Sequence, residues 1–267
     1  MPRDLAIIKL GGALITDKSK PYTLRKPVLT RAAKEIAQAL GPCIVVHGVG
    51  SYGHVPVINR KLYLGFQDPK QLPDLSLTMV EVFDLRFAVT HALMDAGLAP
   101  VLFLPSNIMS MANGEINDNF VKSLRRFLEI GMTPLLGGDM CGDDAKGFSV
   151  CSGDKVVYLL AKLLKPKHVI FATDVAGIFT ADPKLDPTAK LIPQIALSRI
   201  QEFEKLADKA TNPDITKGMR GKLEEIKQFD PILRAGAQVA VLGMMEPGIL
   251  PRYVAGDSKV PCTRITL

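Results

Sequence analysis

The chain of 267 residues is 47% hydrophobic and 22% charged, and it contains no tryptophan. This composition is typical of a globular protein with one large α/β core or two small ones, and it excludes a disordered chain. The formal net charge is +6, but the basic residues are spread along the chain, as on a solvated surface. This pattern permits a small acidic ligand and argues against a nucleic-acid partner.

The N-terminus and the cysteines indicate the compartment. The chain enters an apolar run without the basic, apolar and small-residue series of a signal peptide, and no apolar run approaches the ~18 residues that a bilayer requires. The cysteines at positions 43, 141, 151 and 262 are scattered, with no C-x-x-C pair. They predict reduced, mostly buried thiols rather than zinc ligands. We therefore expect a cytoplasmic protein that has no membrane partner and no metal-ligating cluster.

Strand-like and helix-like segments alternate along the chain. Short apolar runs predict strands at 5–10, 43–46, 100–104, 134–136, 168–172 and 238–242. Apolar residues at three-to-four spacing predict helices at 28–40, 77–96, 119–130, 155–164 and 222–235, with Pro231 kinking or splitting the last. Residues 139–151 surround a turn rich in Gly and Asp and predict a hairpin. The alternation favours a mostly parallel sheet with helices on both faces and ligands at the carboxyl ends of the strands.

The first predicted strand ends in a lysine and a glycine turn. Lys9 lies inside the apolar run, and Gly11 and Gly12 follow it. Because an unpaired buried lysine is costly, we expect its ammonium group to leave the strand end toward an anion such as phosphate. The alternative is an edge-strand lysine before an ordinary turn. Lys18 follows in a loop and either reaches a transferring phosphoryl group or is a solvated surface lysine.

The second predicted strand leads into a glycine-rich loop with the sequence Gly48-Val49-Gly50-Ser51-Tyr52-Gly53-His54. Glycines let backbone N–H groups approach an anion closely, and His54 supplies a side chain that can change charge near neutral pH. The loop also matches the G-x-G-x-x-G pattern of dinucleotide-binding proteins. That interpretation fails because the loop follows the second strand and no acid closes a further strand about 20 residues later. A plain glycine turn is the other alternative.

Three later motifs follow the same logic. Asp154 opens a helix, where it either orients lysines at a phosphoryl-transfer site or caps the helix. Asp174 and Gly177 end another strand, as a nucleotide contact or a plain turn. The segment from Thr216 to Lys222 places glycines and a lysine at a helix start, as a β/γ-phosphate site or a capped surface helix.

One face of the helix at 77–96 carries Val80, Phe83, Phe87 and His91. Their spacing suits a pocket for an apolar acceptor tail. It is equally typical of any core helix.

Together these motifs resemble the amino acid kinase superfamily in order and spacing over nearly the whole chain. Within that superfamily, the loop that ends in His54 is similar to that of the isopentenyl phosphate kinases. The resemblance implies a three-layer α/β sandwich with a mostly parallel central sheet, as one domain over 1–267. Residues up to about 165 would mainly bind the acceptor, and residues from about 166 would mainly bind the nucleotide.

The resemblance further implies an ATP- and Mg²⁺-dependent kinase that converts isopentenyl phosphate to isopentenyl diphosphate, in an alternate mevalonate route, as a homodimer. Catalytic roles would fall to Lys9, Lys18, His54, Asp154 and Lys222. The nucleotide would be held by Lys9, Gly11, Gly12, Ala13, Gly50, Asp174, Gly177, Gly218 and Lys222. The acceptor phosphate would be held by Gly48, Val49, His54 and Gly138, with His54 as its charge clamp.

The chain departs from the family pattern at Ala13, Val49, Lys155, Ala176 and Lys217. A β-branched residue at Val49 bears on the fit of the acceptor. Two alternatives therefore stay open: a kinase of another phosphorus-containing or carboxylate acceptor, similar to fosfomycin kinases, and a non-catalytic nucleotide-binding regulator.

Overall fold

The structure is a computed structural model, and it describes residues 4–17, 19–207 and 223–267, with residues 204–207 described by their backbone alone. The strands are β1 (Ala6–Leu10), β2 (Cys43–His47), β3 (Pro100–Leu102), β4 (Met109–Ala112), β5 (Glu115–Asn119), β6 (Thr133–Gly137), β7 (Asp139–Asp143), β8 (Gly147–Cys151), β9 (His168–Thr173), β10 (Gln194–Ala196), β11 (Gln238–Gly243) and β12 (Cys262–Thr266). The helices are α1 (Gly12–Ile15), α2 (Lys26–Ala39), α3 (Gly50–Asn59), α4 (Leu72–Asp95), α5 (Pro105–Ile108), α6 (Lys122–Glu129), α7 (Gly153–Leu164), α8 (Ile200–Ala207), α9 (Asp230–Arg234) and α10 (Ile249–Val254).

The main sheet has eight strands in the order β10-β12-β11-β9-β1-β2-β6-β3. Its neighbouring strands are parallel except for β11 and β12, which are antiparallel. This arrangement confirms the predicted mostly parallel sheet. A second sheet of four strands, in the order β5-β4-β7-β8, contains the hairpin predicted over 139–151, in which Asp139 pairs with Cys151.

Alternating side chains of β1 divide the core into two layers. Ala6, Ile8 and Leu10 belong to a buried cluster with residues of α2, α4 and α10. Ile7 belongs to a second cluster with residues of α6 and α7. The three-layer α/β sandwich is thereby confirmed. Because side chains on a strand alternate between faces, Lys9 shares the side of Ile7 and faces the α7 layer.

The helix predicted over 222–235 is interrupted, as Pro231 led us to expect. Residues 223–226 are helical, a 3-10 turn covers Lys227–Phe229, and α9 begins at Asp230 with Pro231 in its first turn. Proline is tolerated there because the first helical N–H groups have no intrahelical acceptor.

Strands from both halves of the chain meet at the middle of the main sheet. There β1 pairs with β9, with Lys9 opposite Phe171 and Leu10 opposite Ala172.

All four cysteines are buried free thiols, as predicted. Among the helices described, none has both the length and the apolar character needed to cross a bilayer.

Candidate active site

Two glycine turns pack directly against each other at the carboxyl ends of β1 and β2. A Cβ atom added to Gly12 would lie 2.5 Å from the backbone nitrogen of Gly50, and one added to Gly48 would lie 2.5 Å from the nitrogen of Gly12. Real Cβ atoms do not approach backbone so closely, so both positions require glycine. The sheet therefore brings the two predicted phosphate loops together at one edge.

The glycine amides have specific partners inside the protein. The N–H groups of Gly11, Gly48 and Gly138 donate to the carbonyl oxygens of Ala172 (2.8 Å), Leu10 (2.8 Å) and His47 (3.1 Å). These glycines therefore contribute close packing. In the first turn of α3, the N–H groups of Ser51 and Tyr52 donate to Thr16 Oγ1 and to the Val49 carbonyl oxygen, both at 3.0 Å, which leaves the Gly50 N–H as a candidate donor for a phosphate.

Thr16 links the two turns, a role that no sequence pattern predicted. Its Oγ1 donates to the carbonyl oxygen of Gly12 at 2.8 Å and accepts from the N–H of Ser51 at 3.0 Å. The hydroxyl lies where a Cβ on Gly50 would be, and Gly50 has φ +46°, which favours glycine. The turn after β1 thus fixes the start of α3.

Lys9 and Asp154 form a buried ion pair beside these turns. The Lys9 Nζ lies 2.5 Å from Asp154 Oδ2, and the two side chains are 9% and 16% exposed. The Lys9 stem passes over Gly153, where an added Cβ would lie 3.1 Å from Cε. Ser152 is the N-cap of α7 and accepts from the N–H of Lys155 at 3.2 Å. Asp154 is therefore not the capping residue, and its carboxylate is aimed at the lysine.

Lys155, one of the departures from the family pattern, has hydrogen-bond partners of its own. Its Nζ donates to the carbonyl oxygen of Gly114 at 2.6 Å and to Glu115 Oε1 at 2.5 Å. The side chain therefore ties α7 to the turn between β4 and β5. This departure has a structural partner of its own in the smaller sheet.

Val49 fits its loop because its neighbours lack side chains. Added Cβ atoms on Gly53 and Gly138 would lie 2.5 Å and 2.9 Å from the two γ-methyl groups of Val49. The β-branched side chain thus fills space that the two glycines leave. His54 lies in the second turn of α3 and is partly buried.

Two buried residues beneath the loop, Arg86 and His47, were not predicted to belong to the site. Arg86 is 1% exposed and donates from Nε to His47 Nε2 and from Nη2 to the carbonyl oxygen of Gly138, both at 3.2 Å. Burial and the neighbouring guanidinium lower the pKa of His47 to about 3, so the imidazole is neutral at pH 7. A charged residue among the apolar positions of an amphipathic helix was the available signal for Arg86.

Asp174 and Gly177 follow β9 on the other side of the site. Burial alone would raise the pKa of the Asp174 carboxyl, but the hydrogen bond and charge of Lys184 lower it. Gly177 packs against β12, since an added Cβ would lie 2.7 Å from Thr263 Oγ1. The region therefore has a close-packed turn with an ionised carboxylate at its edge.

The remaining predicted residues are placed as follows. Ala13 lies in α1, directly after Gly12. Lys18, Lys217, Gly218 and Lys222 lie outside the described residues. Among the described residues, no three His, Cys, Asp or Glu side chains are grouped as a metal site would require.

The row of Val80, Phe83, Phe87 and His91 is not the face of α4 that packs in the core, so the core alternative is wrong. Val80 and Phe87 are 55% and 44% exposed, and His91 is also exposed. The face that packs on the sheet carries Val82, Leu85, Arg86 and Val89 instead. The row is therefore mostly exposed, with Phe83 half-buried, and its role as the lining of an acceptor pocket stays a prediction.

Comparisons with known proteins agree with this architecture. Residues 4–241 match the sequence model of the amino acid kinase family. The chain is 32% identical to an isopentenyl phosphate kinase of Methanothermobacter thermautotrophicus over 98% of this chain and 99% of that protein. It is 29% identical to one of Thermoplasma acidophilum over 87% of this chain and 89% of that protein. A crystal structure of isopentenyl phosphate kinase superposes with a TM-score of 0.81 at 30% identity, covering 98% of this chain and all of that chain.

Proposed function

Because the chain belongs to the amino acid kinase family, we propose that it phosphorylates isopentenyl phosphate to isopentenyl diphosphate at the expense of ATP. The observation that best supports this proposal is the contact between the two glycine turns, with the Lys9–Asp154 ion pair beside them. Relatives named isopentenyl phosphate kinase match the chain along nearly its full length.

The described residues fit a nucleotide. Lys9 supplies a cation beside the turns at Gly12 and Gly48, which pack backbone to backbone at the carboxyl ends of β1 and β2. The nucleotide would be held by Lys9, Gly11, Gly12, Ala13, Gly50, Asp174 and Gly177, together with Gly218 and Lys222. When bound, ATP supplies the γ-phosphoryl group, and Mg²⁺ offsets part of the phosphate charge. The nucleotide-binding half is proposed to be about 166–267.

The acceptor phosphate would lie against the first turn of α3, between Gly48, Val49 and Gly138, with His54 as its charge clamp. A phosphate monoester already carries nucleophilic oxygens at pH 7, so the site needs no strong base. One of these oxygens forms the new bond to the γ-phosphorus while the bond to the ADP oxygen breaks. Lys9, paired with Asp154, would neutralise charge during the transfer. Lys18 and Lys222 would add further positive charge.

The acceptor is tested with purified protein in a coupled ADP assay. The panel contains isopentenyl, dimethylallyl and geranyl monophosphates, fosfomycin and acetylglutamate. We expect isopentenyl phosphate to give the highest kcat/KM. A higher value for fosfomycin or acetylglutamate would assign the chain to another acceptor, and nucleotide binding without ADP release for any acceptor would indicate a regulator.

The role of His54 is tested by His54→Ala. We expect kcat/KM for the acceptor to fall about 100-fold, because a charge-assisted contact to phosphate is lost, while ATP binding persists. His168→Gln is the matched control, since His168 begins β9 at the opposite end of the sheet. Turnover by the His54 variant at the parental rate would contradict the proposed clamp.

We further propose that the enzyme is a cytoplasmic homodimer. The exposed outer face of α4, with Val80, Phe87 and Met94 at 44–55% exposure, offers an apolar surface for a second copy. The four free thiols suit a reducing compartment. Sedimentation should give twice 29.0 kDa, or 58 kDa, and Phe87→Glu should halve it. A parental mass of one chain at all concentrations would exclude the dimer.

A further inference from the structure

Arg86 is a buried cation whose guanidinium donates hydrogen bonds at the ends of two strands. It is 1% exposed on the inner face of α4. Its guanidinium donates to His47 Nε2 and to the Gly138 carbonyl oxygen, each at 3.2 Å, and Asp139 Oδ2 lies 3.9 Å away. Burying a guanidinium is costly, and a well-packed apolar side chain of similar size would often be at least as stable. Fold stability alone therefore does not account for this residue.

The hydrogen bonds from Arg86 also determine which hydrogen bonds its neighbours make. Because His47 Nε2 accepts from Arg86, the proton of the neutral imidazole lies on Nδ1. That nitrogen is 3.3 Å from the Gly48 carbonyl oxygen and donates to it. The Gly138 N–H donates to the His47 carbonyl oxygen at 3.1 Å. One guanidinium thus holds the peptides of Gly48 and Gly138, the first through His47 and the second directly.

These two peptides bound the acceptor loop. Val49 lies between Gly53 and Gly138, and an added Cβ on Gly138 would lie 2.9 Å from a Val49 γ-methyl group. A shift of the Gly138 peptide would therefore displace Val49, the N-cap residue of α3, which carries His54. The nucleotide residues Gly11, Asp174 and Gly177 have other partners, in β9, Lys184 and β12.

We propose that Arg86 is a positioning residue of the acceptor site, which from beneath the loop fixes the Gly48 and Gly138 peptides between which the acceptor phosphate binds. The proposal rests on the proposed function in that it takes this loop as the acceptor site. It predicts that Arg86 controls acceptor binding and leaves ATP binding unchanged.

The test compares two variants with the parent. Arg86→Met removes the hydrogen-bond donors, and Arg86→Lys keeps the positive charge but loses the planar guanidinium group that reaches His47 and Gly138 together. KM is measured for each substrate, and the unfolding temperature is recorded. For Arg86→Met we expect acceptor KM to rise about tenfold, equivalent to about 1.4 kcal/mol, with ATP KM within about twofold. Arg86→Lys should give a smaller rise in acceptor KM. If Arg86→Met does not fold, Arg86→Lys decides by the same criterion.

Glu35→Gln is the control for a purely structural loss. Glu35 is 5% exposed and accepts from the N–H groups of Gly248 and Leu250, away from the acceptor loop. We expect this variant to unfold at a lower temperature with both KM values unchanged. An acceptor KM that stays at the parental value, or that rises in step with ATP KM, would overturn the proposal. Turnover of isopentenyl phosphate by the parent enzyme tests the proposed function separately from the role of Arg86. If the parent prefers another acceptor, the Arg86 variants are compared with the parent on that acceptor.

Discussion

At the scale of single residues, the site depends on missing side chains as much as on charged ones. Gly12 and Gly48 lie so close to opposing backbone that a methyl group at either position would force the two turns apart. Gly41, by contrast, has no atom within 4 Å of an added Cβ. The two kinds of glycine therefore provide a matched comparison within one chain.

We predict that Gly12→Ala lowers kcat/KM about 100-fold, because a displacement of about 1 Å at reacting groups has effects of that size. The overpacking should also destabilise the fold by about 1–3 kcal/mol. Gly41→Ala should change stability by less than about 0.5 kcal/mol and leave turnover unchanged. Steady-state kinetics and urea unfolding of both variants check this, and equal behaviour of the two would contradict the close packing of the turns.

The sequence predicted some residues of the site better than others. A lysine inside an apolar strand and glycines after it carry a local signal, so the region of Lys9, Gly12 and Gly48 could be found. The contacts of Arg86 with His47 and Gly138 join positions far apart in the chain, and only the packing of α4 on the sheet creates them. Exposure of Val80 and Phe87 also depends on that packing, because spacing alone does not say which apolar face a helix buries.

At the scale of elements, the Asp143 carboxylate links the two hairpins of the smaller sheet. Its carboxylate accepts from the N–H groups of Asn113 and Gly114 in the turn between β4 and β5. It also accepts from the N–H groups of Ala145 and Lys146 and from Ser149 Oγ, within the hairpin of β7 and β8. Burial alone would raise the pKa of Asp143, but the hydrogen bonds from Ser149 and these amides lower it well below its usual range.

This shift predicts how stability depends on pH. Because the pKa is depressed in the folded state, the carboxylate stabilises the fold fully above its unfolded pKa of about 3.9, and this contribution is lost as pH falls further. Asp143→Asn should therefore cost about 2 kcal/mol at pH 7. The difference from the parent should shrink below about pH 4.

Urea unfolding of the parent and Asp143→Asn from pH 7 to pH 3 measures this difference. Asp118→Asn is a suitable control, since that carboxylate is exposed in β5. A difference between parent and Asp143→Asn that stayed constant over this range would show that the carboxylate charge has no such role.

Regular elements were predictable where the pattern is local. Strands β1, β2, β9 and β11 are mostly apolar runs, as buried parallel strands usually are, and in β1 the run is broken by Lys9. Strand β5 has the sequence Glu-Ile-Asn-Asp-Asn, which resembles a loop, and β10 has three residues. These strands are held by pairing with distant partners, so the sequence carried no usable signal for them.

At the scale of the whole molecule, both halves of the chain contribute to one sheet. Strands β1, β2, β3 and β6 come from the first 165 residues, and β9 to β12 come from the remainder. The buried cluster around α7 likewise includes residues from both parts, such as Ile7 and Val239. The two proposed binding halves therefore share one core.

We predict a single calorimetric unfolding transition. ATP at about 100 times its Kd should stabilise the fold by about 2.7 kcal/mol, which raises Tm by about 5 °C. Isopentenyl phosphate should shift the same transition. Two transitions, of which ATP moves only one, would instead show that the nucleotide half unfolds independently.

The central pairing of β1 with β9 has a consequence for synthesis on the ribosome. More than 150 residues separate Leu10 from His168, so the first strand emerges long before its central neighbour exists. Until then, the nascent chain presents a bare row of backbone donors and acceptors flanked by aliphatic side chains, which is the kind of edge that invites aggregation. Productive folding in the cell should therefore depend on shielding by chaperones until translation has passed the ninth strand.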